Sequence, residues 1–188
     1  MNKNAKSKAI FVGALFILTM FGQFVYAQDN ISESDVTVIS YVFDQPTILK
    51  NGNIVKVSID NCIMENIAGK PVIPKYTARI LLPQGKDVQS ISVMYGRPIL
   101  LDTDLMLEHG QPPAIIGQEA KSVEPDPEVY GSDKPYPAKT FAIGTVAGFR
   151  GFDILHVSLY PVRYIPAAGK VLYFPEMTVQ VTLKNGEI

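Results

Sequence analysis

The chain has one cysteine, Cys62, and two histidines, His109 and His156. A thiolate activated by an imidazole is the smallest nucleophilic pair a hydrolase uses, with a third group to orient the base. Cys62 stands in "SIDNCIMEN", after an alternating run and without a glycine-rich elbow beside it. His156 stands in "DILHVSL", where alternation lays it across a strand. Nucleophile, base and orienter cannot be assigned from these contexts. Cys62 therefore reads as a small half-buried hydrophobe. A second cluster, "LDTDLMLEHG", brings Asp102, Asp104, Glu108 and His109 close in sequence. Oxygen ligands at short spacing suit calcium, but the spacing is not that of an EF-hand loop. The cluster reads as a solvated acidic turn. The sequence contains no phosphate-cradling glycine motif, zinc-ligand set or Ser-His-Asp order. No catalytic residue, metal or cofactor is expected.

The elements that would position any site are strands. In "NIVKVSID" Val55, Val57 and Ile59 share one face and Lys56, Ser58 and Asp60 the other. "YTARILLP" sets Ala78, Ile80 and Leu82 against Thr77, Arg79 and Leu81, and "VQSISVMYG" aligns Ile91, Val93 and Tyr95. "MTVQVTL" sets Met177, Val179, Val181 and Leu183 against Thr178, Gln180 and Thr182. Period-two alternation predicts half-buried strands. "GFDILHVSLYP" and "DVTVISYVF" are apolar on both faces and read as central strands. Turn signals such as Asn51-Gly52, Pro83-Gln84-Gly85, Gly96-Arg97-Pro98 and Ala168-Gly169-Lys170 separate the runs. The prolines of "KPVIPKY" and "YPVRYIP" fit edges or bends. Many short strands at this spacing predict an all-β fold, an antiparallel β-sandwich. From His109 to Ala138 the chain is rich in Pro, Gly and charge. That is too long for an ordinary connection, so a long exposed loop is expected there.

Lys3, Lys6 and Lys8 precede an apolar run from Ala9 to Phe21, and Val25-Tyr26-Ala27 then meets a polar Gln28-Asp29. This is the three-part pattern of a secretory signal. The apolar run is short for a membrane span of roughly 20 residues. Residues 1–27 are expected to be a signal peptide cleaved between Ala27 and Gln28, and membrane contact is expected only through it. Residues 28–38 form a lead-in, 39–185 the β domain, and 186–188 the start of a linker or the chain end. A secreted, periplasmic or cell-surface location follows. With one cysteine the chain makes no internal disulfide, so packing must stabilise it. Seventeen basic and eighteen acidic residues leave a formal net charge of −1. That argues against a broad electrostatic footprint for nucleic acid.

An ordered set of short motifs points further. "GKPVIPKY" leads into "ARILLP", giving Gly69, Pro71, Pro74 and Leu82-Pro83. Then come Tyr136-Pro137, Arg150-Gly151, and Pro161, Tyr164 and Pro166, ahead of a closing strand pair. The series, over about Ile39 to Leu183, resembles the propeptide domain of gingipain-type cysteine peptidases. The resemblance implies a β-sandwich that covers the active-site face of a secreted cysteine endopeptidase. Such a domain keeps the zymogen latent and assists its folding. The implied partner is the cognate peptidase catalytic domain, in cis or in trans. That domain's Cys-His pair lies outside these residues, so no catalytic role carries over. Gingipain-type enzymes prefer Arg or Lys before the scissile bond, which makes a basic loop residue the natural plug. Lys134, followed by Pro135, is the first candidate; Lys121, Lys139 and Arg97 follow. Two other readings are a secreted β-sandwich adhesion or carbohydrate-binding module, with Tyr130 and Tyr136 as its aromatic platform, and a cell-surface structural domain.

Overall fold

A computed structural model of the chain describes residues 35–113, 117 and 121–186. The expected signal peptide and its expected cleavage between Ala27 and Gln28 lie outside these residues. Among the described residues no helix is long and apolar enough to cross a membrane.

The strands are β1 (Val36–Val42), β2 (Thr47–Asn51), β3 (Ile54–Ser58), β4 (Ile63–Glu65), β5 (Ile73–Leu81), β6 (Lys86–Tyr95) and β7 (Ile99–Asp102). They continue with β8 (Met106–Leu107), β9 (Phe141–Phe149), β10 (Phe152–Leu159), β11 (Val162–Ile165), β12 (Lys170–Tyr173) and β13 (Glu176–Asn185). Two sheets carry most of the fold, ordered β1-β13-β6 and β4-β5-β10-β9. Two smaller sheets are ordered β11-β12-β7 and β2-β3-β8. All pairings are antiparallel except β3 with β8.

Alternation places the core. Met177, Val179, Val181 and Leu183 of β13 are buried, and so are Ala78 and Ile80 of β5, Leu155, Val157 and Leu159 of β10, and Val55 and Val57 of β3. They share one hydrophobic cluster. Each fully buried Val, Leu or Ile contributes about 1.5–3 kcal/mol of transfer free energy, so the inner faces hold the sandwich together.

One strand departs from expectation. β1 is an edge strand, not a central one. Its second apolar face is left uncovered, with Val38 57% and Val42 80% exposed. Apolar residues on both faces therefore did not require neighbours on both sides. β10, by contrast, lies between β5 and β9 as expected. β1 also begins at Val36, inside the stretch read as a lead-in, and its first residue pairs with Thr182.

The prolines sit where a missing N–H does no harm. Pro74 faces Met64 of β4, beyond the point where the pairing with β10 ends at Tyr76. Pro161 precedes β11, and Pro166 opens a 3-10 turn, Pro166–Ala168. Gly169 closes that turn at φ 57°. A Cβ there would lie 2.6 Å from the Leu105 nitrogen, so both the conformation and the space require glycine.

Candidate functional site

The long segment from His109 is pinned to the body at several points. The Gly69 N–H donates to the Gly110 carbonyl at 2.9 Å, and the Gly110 N–H returns a bond to Lys70 at 2.8 Å. The Val72 N–H donates to Glu108 at 2.9 Å, and Pro71 bridges His109. His109 Nε2–H reaches the Val123 carbonyl at 2.9 Å. The Asp126 N–H donates to the Gly69 carbonyl at 2.8 Å, and Asp126 caps a short helix, α1 (Pro127–Tyr130). The Tyr130 hydroxyl donates to the Leu107 carbonyl at 2.8 Å. Residues 121–138 are thus docked onto the scaffold. The reason is polar accounting: Gly69, where an added Cβ would lie 3.3 Å from the Glu124 carbonyl, lets the two backbones approach closely enough to satisfy each other's groups.

The motif residues join this scaffold. Tyr136, which precedes a cis bond to Pro137, exchanges two backbone hydrogen bonds with Tyr164, at 2.6 and 2.7 Å. Arg163 Nε–H donates to the Pro137 carbonyl at 3.0 Å and its Nη2 to Ala138 at 2.8 Å. The buried Tyr164 hydroxyl donates to the Leu105 carbonyl at 2.7 Å. Burial pushes the Tyr136 hydroxyl up to about 12, with the Glu65 carboxylate adding to the shift. Tyr130 and Tyr136 are half-buried in this packing, so they do not offer an open aromatic platform.

The candidate nucleophile and acidic cluster are dispersed. Cys62 has no hydrogen bond to either histidine among the described residues. Its burial, with Asp44 nearby, pushes the thiol up to about 11, which keeps it protonated at neutral pH. Asp102 pairs with Lys50 at 3.1 Å, and Glu108 lies 3.9 Å from Lys56. Among the described residues no group of three or more His, Cys, Asp or Glu is placed to hold a metal.

The basic candidates differ in setting. Lys134 is exposed, but its N–H donates to Ser132 Oγ at 3.1 Å, and the Ser132 carbonyl accepts from Ala167 N–H at 3.0 Å. Lys139 is exposed one residue before the buried Thr140. Arg97 is exposed between β6 and β7, and Lys121 at the start of the docked segment.

A fifth basic residue is Arg150, one of the residues of the motif series. It stands at the tip of the β9–β10 hairpin, with Gly151 as the second residue of the turn. Both have positive φ, 51° and 82°, the signature of a two-residue type I′ turn. Phe149 and Phe152 face each other across the base of this turn. They are 59% and 58% exposed. The Arg150 guanidinium carbon lies 5.3 Å from the Phe149 ring centroid, within cation–π range. What hid this tip in the sequence is that Arg-Gly looks like any polar turn; the signal available was a basic residue between two phenylalanines.

The architecture is an all-β antiparallel sandwich with a basic hairpin tip at one end of its larger sheet. A sequence model of the family described as Propeptide_C25 matches residues 23–187, and the chain belongs to that family. Two solved structures have the same fold. One is the complex of Porphyromonas gingivalis RgpB pro- and mature domains, with TM-score 0.64, 14% identity and coverage of 83% of each chain. The other is a structure addressing the zymogenic latency of gingipain K from Porphyromonas gingivalis, with TM-score 0.62, 15% identity, and coverage of 81% of this chain and 88% of that one. A comparison with curated proteins gives no match.

Proposed function

We propose that this domain keeps a gingipain-type cysteine peptidase latent by laying the β9–β10 hairpin over its active site, with Arg150 entering the cleft. Membership of the propeptide family supports the role. The observation that carries the choice of residue is the tip itself. A non-glycine residue in the left-handed region costs about 1–2 kcal/mol, and asparagine or glycine fills this turn position more cheaply. Strain of this kind gathers at functional residues. On these grounds Arg150 stands ahead of Lys134, Lys121, Lys139 and Arg97 as the plug.

The same geometry supports inhibition over turnover. Hydrolysis needs the scissile peptide held in a near-attack conformation. Here both residues flanking the Arg150–Gly151 bond are left-handed, and strand pairing below the turn opposes their straightening. The domain covers the cleft and presents the right cation in the wrong backbone shape. It acts in cis or in trans, assists folding of its partner, and works outside the cytoplasm after removal of residues 1–27.

The test is the inhibition constant against the cognate peptidase for the wild-type domain and for Arg150→Asn, with Lys134→Ala alongside. Asparagine suits the turn, so the hairpin stays formed. Inhibition is expected to weaken at least about thirtyfold with Arg150→Asn, the loss of a buried charged anchor being worth about 2–5 kcal/mol. Full potency of that variant, or collapse of potency with Lys134→Ala, would overturn the assignment.

A further inference from the structure

We infer that the outer face of β5, β10 and β9 beside the hairpin tip is the principal docking surface for the peptidase catalytic domain. Affinity would be shared between this face and Arg150, and occlusion of the cleft would reside in Arg150. The inference rests on the reading of Arg150 as the plug.

The face follows from register. Ile80 opposite Leu155 and Ala78 opposite Val157 point into the core. The intervening residues therefore point outward. Leu81 stands opposite Ile154, Ile154 opposite Ala147, and Phe152 opposite Phe149. These five side chains are cross-strand or next-but-one neighbours, so they make one apolar patch over three strands. Leu81 is 59% exposed, similar to the two phenylalanines. Toward the other end of the sheet the same face turns polar, with Arg79 opposite His156. An apolar centre with a polar rim is the anatomy of a protein interface, and contiguous exposed apolar surface on a single domain marks such a site.

The occupant is fixed by continuity. Phe149 and Phe152 belong both to the patch and to the turn that carries Arg150. A partner that receives Arg150 in a cleft must lay the rim of that cleft on these two rings, and Leu81 and Ile154 come next. The partner's chemistry is then an apolar rim beside a pocket that accepts a cation. A β-bulge agrees with a face-on contact: Gly144 and Thr145 together oppose His156. Such a bulge interrupts the free edge of β9 and disfavours strand-to-strand addition along it.

The test uses the whole domain and the cognate gingipain-type catalytic domain with its catalytic cysteine alkylated, so that binding is read apart from turnover. Leu81→Ser is expected to raise Kd at least about tenfold, and Phe152→Ser to do the same as an independent second variant. Both residues are exposed, and the melting temperature verifies folding. In a parallel assay with the unmodified peptidase, Arg150→Asn is expected to leave activity even at saturating domain, whereas Leu81→Ser inhibits fully once saturating. Wild-type affinity of both serine variants, with Arg150→Asn still relieving inhibition, would overturn the docking face and leave the plug intact. Weak binding by the serine variants, with Arg150→Asn fully inhibitory, would keep the face and remove the plug. If sedimentation shows that Leu81→Ser abolishes self-association without changing Kd, the patch covers a second copy and the inference fails.

Discussion

Removing the Tyr164 hydroxyl separates scaffold from site. Tyr164 is 1% exposed, and its hydroxyl donates to the Leu105 carbonyl at 2.7 Å. Its ring meets Tyr130 edge-on with centroids 6.4 Å apart. In Tyr164→Phe the ring, its contacts and its backbone exchange with Tyr136 all remain. Only the hydroxyl is lost, and the Leu105 carbonyl is left with one partner fewer. That costs about 1–3 kcal/mol. For a domain of this size each kcal/mol lowers Tm by about 3 °C, so a fall of about 3–9 °C is expected in a thermal melt. Below the melt, inhibition of the cognate peptidase should stay within about twofold of wild type, because Tyr164 lies on β11, in the scaffold, and not on the hairpin. A Tm unchanged within 1 °C would refute the hydrogen-bond accounting. A tenfold loss of inhibition in the folded variant would refute the division between scaffold and site.

Other perturbations test the packing elsewhere. Gly169→Ala adds a Cβ against the Leu105 nitrogen and Asp104 backbone at a left-handed position; a loss of about 2 kcal/mol or more is expected in urea unfolding, and an unchanged midpoint would contradict it. Cys62 is held near 11 by burial, about two units above an ordinary thiol, so its alkylation by iodoacetamide at pH 8 should be about a hundredfold slower in the folded domain than in urea; equal rates would contradict the burial. Tyr136 and Tyr160 are pushed up to about 12, chiefly by burial. Their folded pKa exceeds the unfolded value near 10, so the stability they contribute is complete below pH 10 and falls as the pH rises from 10 through 12. A Tm that is flat from pH 7 to 8, begins to fall above about 8.5 as the unfolded Cys62 thiol ionises, and falls more steeply above pH 10 is expected; no drop by pH 11 would contradict it.

Alternation made the inner faces legible. Each residue of β3, β5 and β13 expected inside is buried, because period-two patterning and a one-sided core are the same fact seen twice. The Ala-Gly-Lys turn after β11 was legible for a similar local reason. What escaped was non-local. No pattern in "YTARILLP" tells an uncovered Leu81 from a covered one, and none in "DVTVISYVF" reveals that β1 has one neighbour. The docking of residues 121–138 depends on contacts far apart in sequence, Asp126 with Gly69, Tyr130 with Leu107 and Tyr136 with Tyr164, which are a property of the fold. Arg150 was visible as part of a motif, yet only the left-handed turn and the flanking exposed rings distinguish it from the basic residues on the docked loop.

The most direct measurement is the rate at which an arginyl chloromethyl ketone labels the peptidase's catalytic cysteine in the presence of saturating domain. Wild-type domain is expected to slow labelling at least about a hundredfold, and Arg150→Asn, bound to saturation, to leave it within about threefold of the free enzyme. Equal protection by the two domains would contradict it.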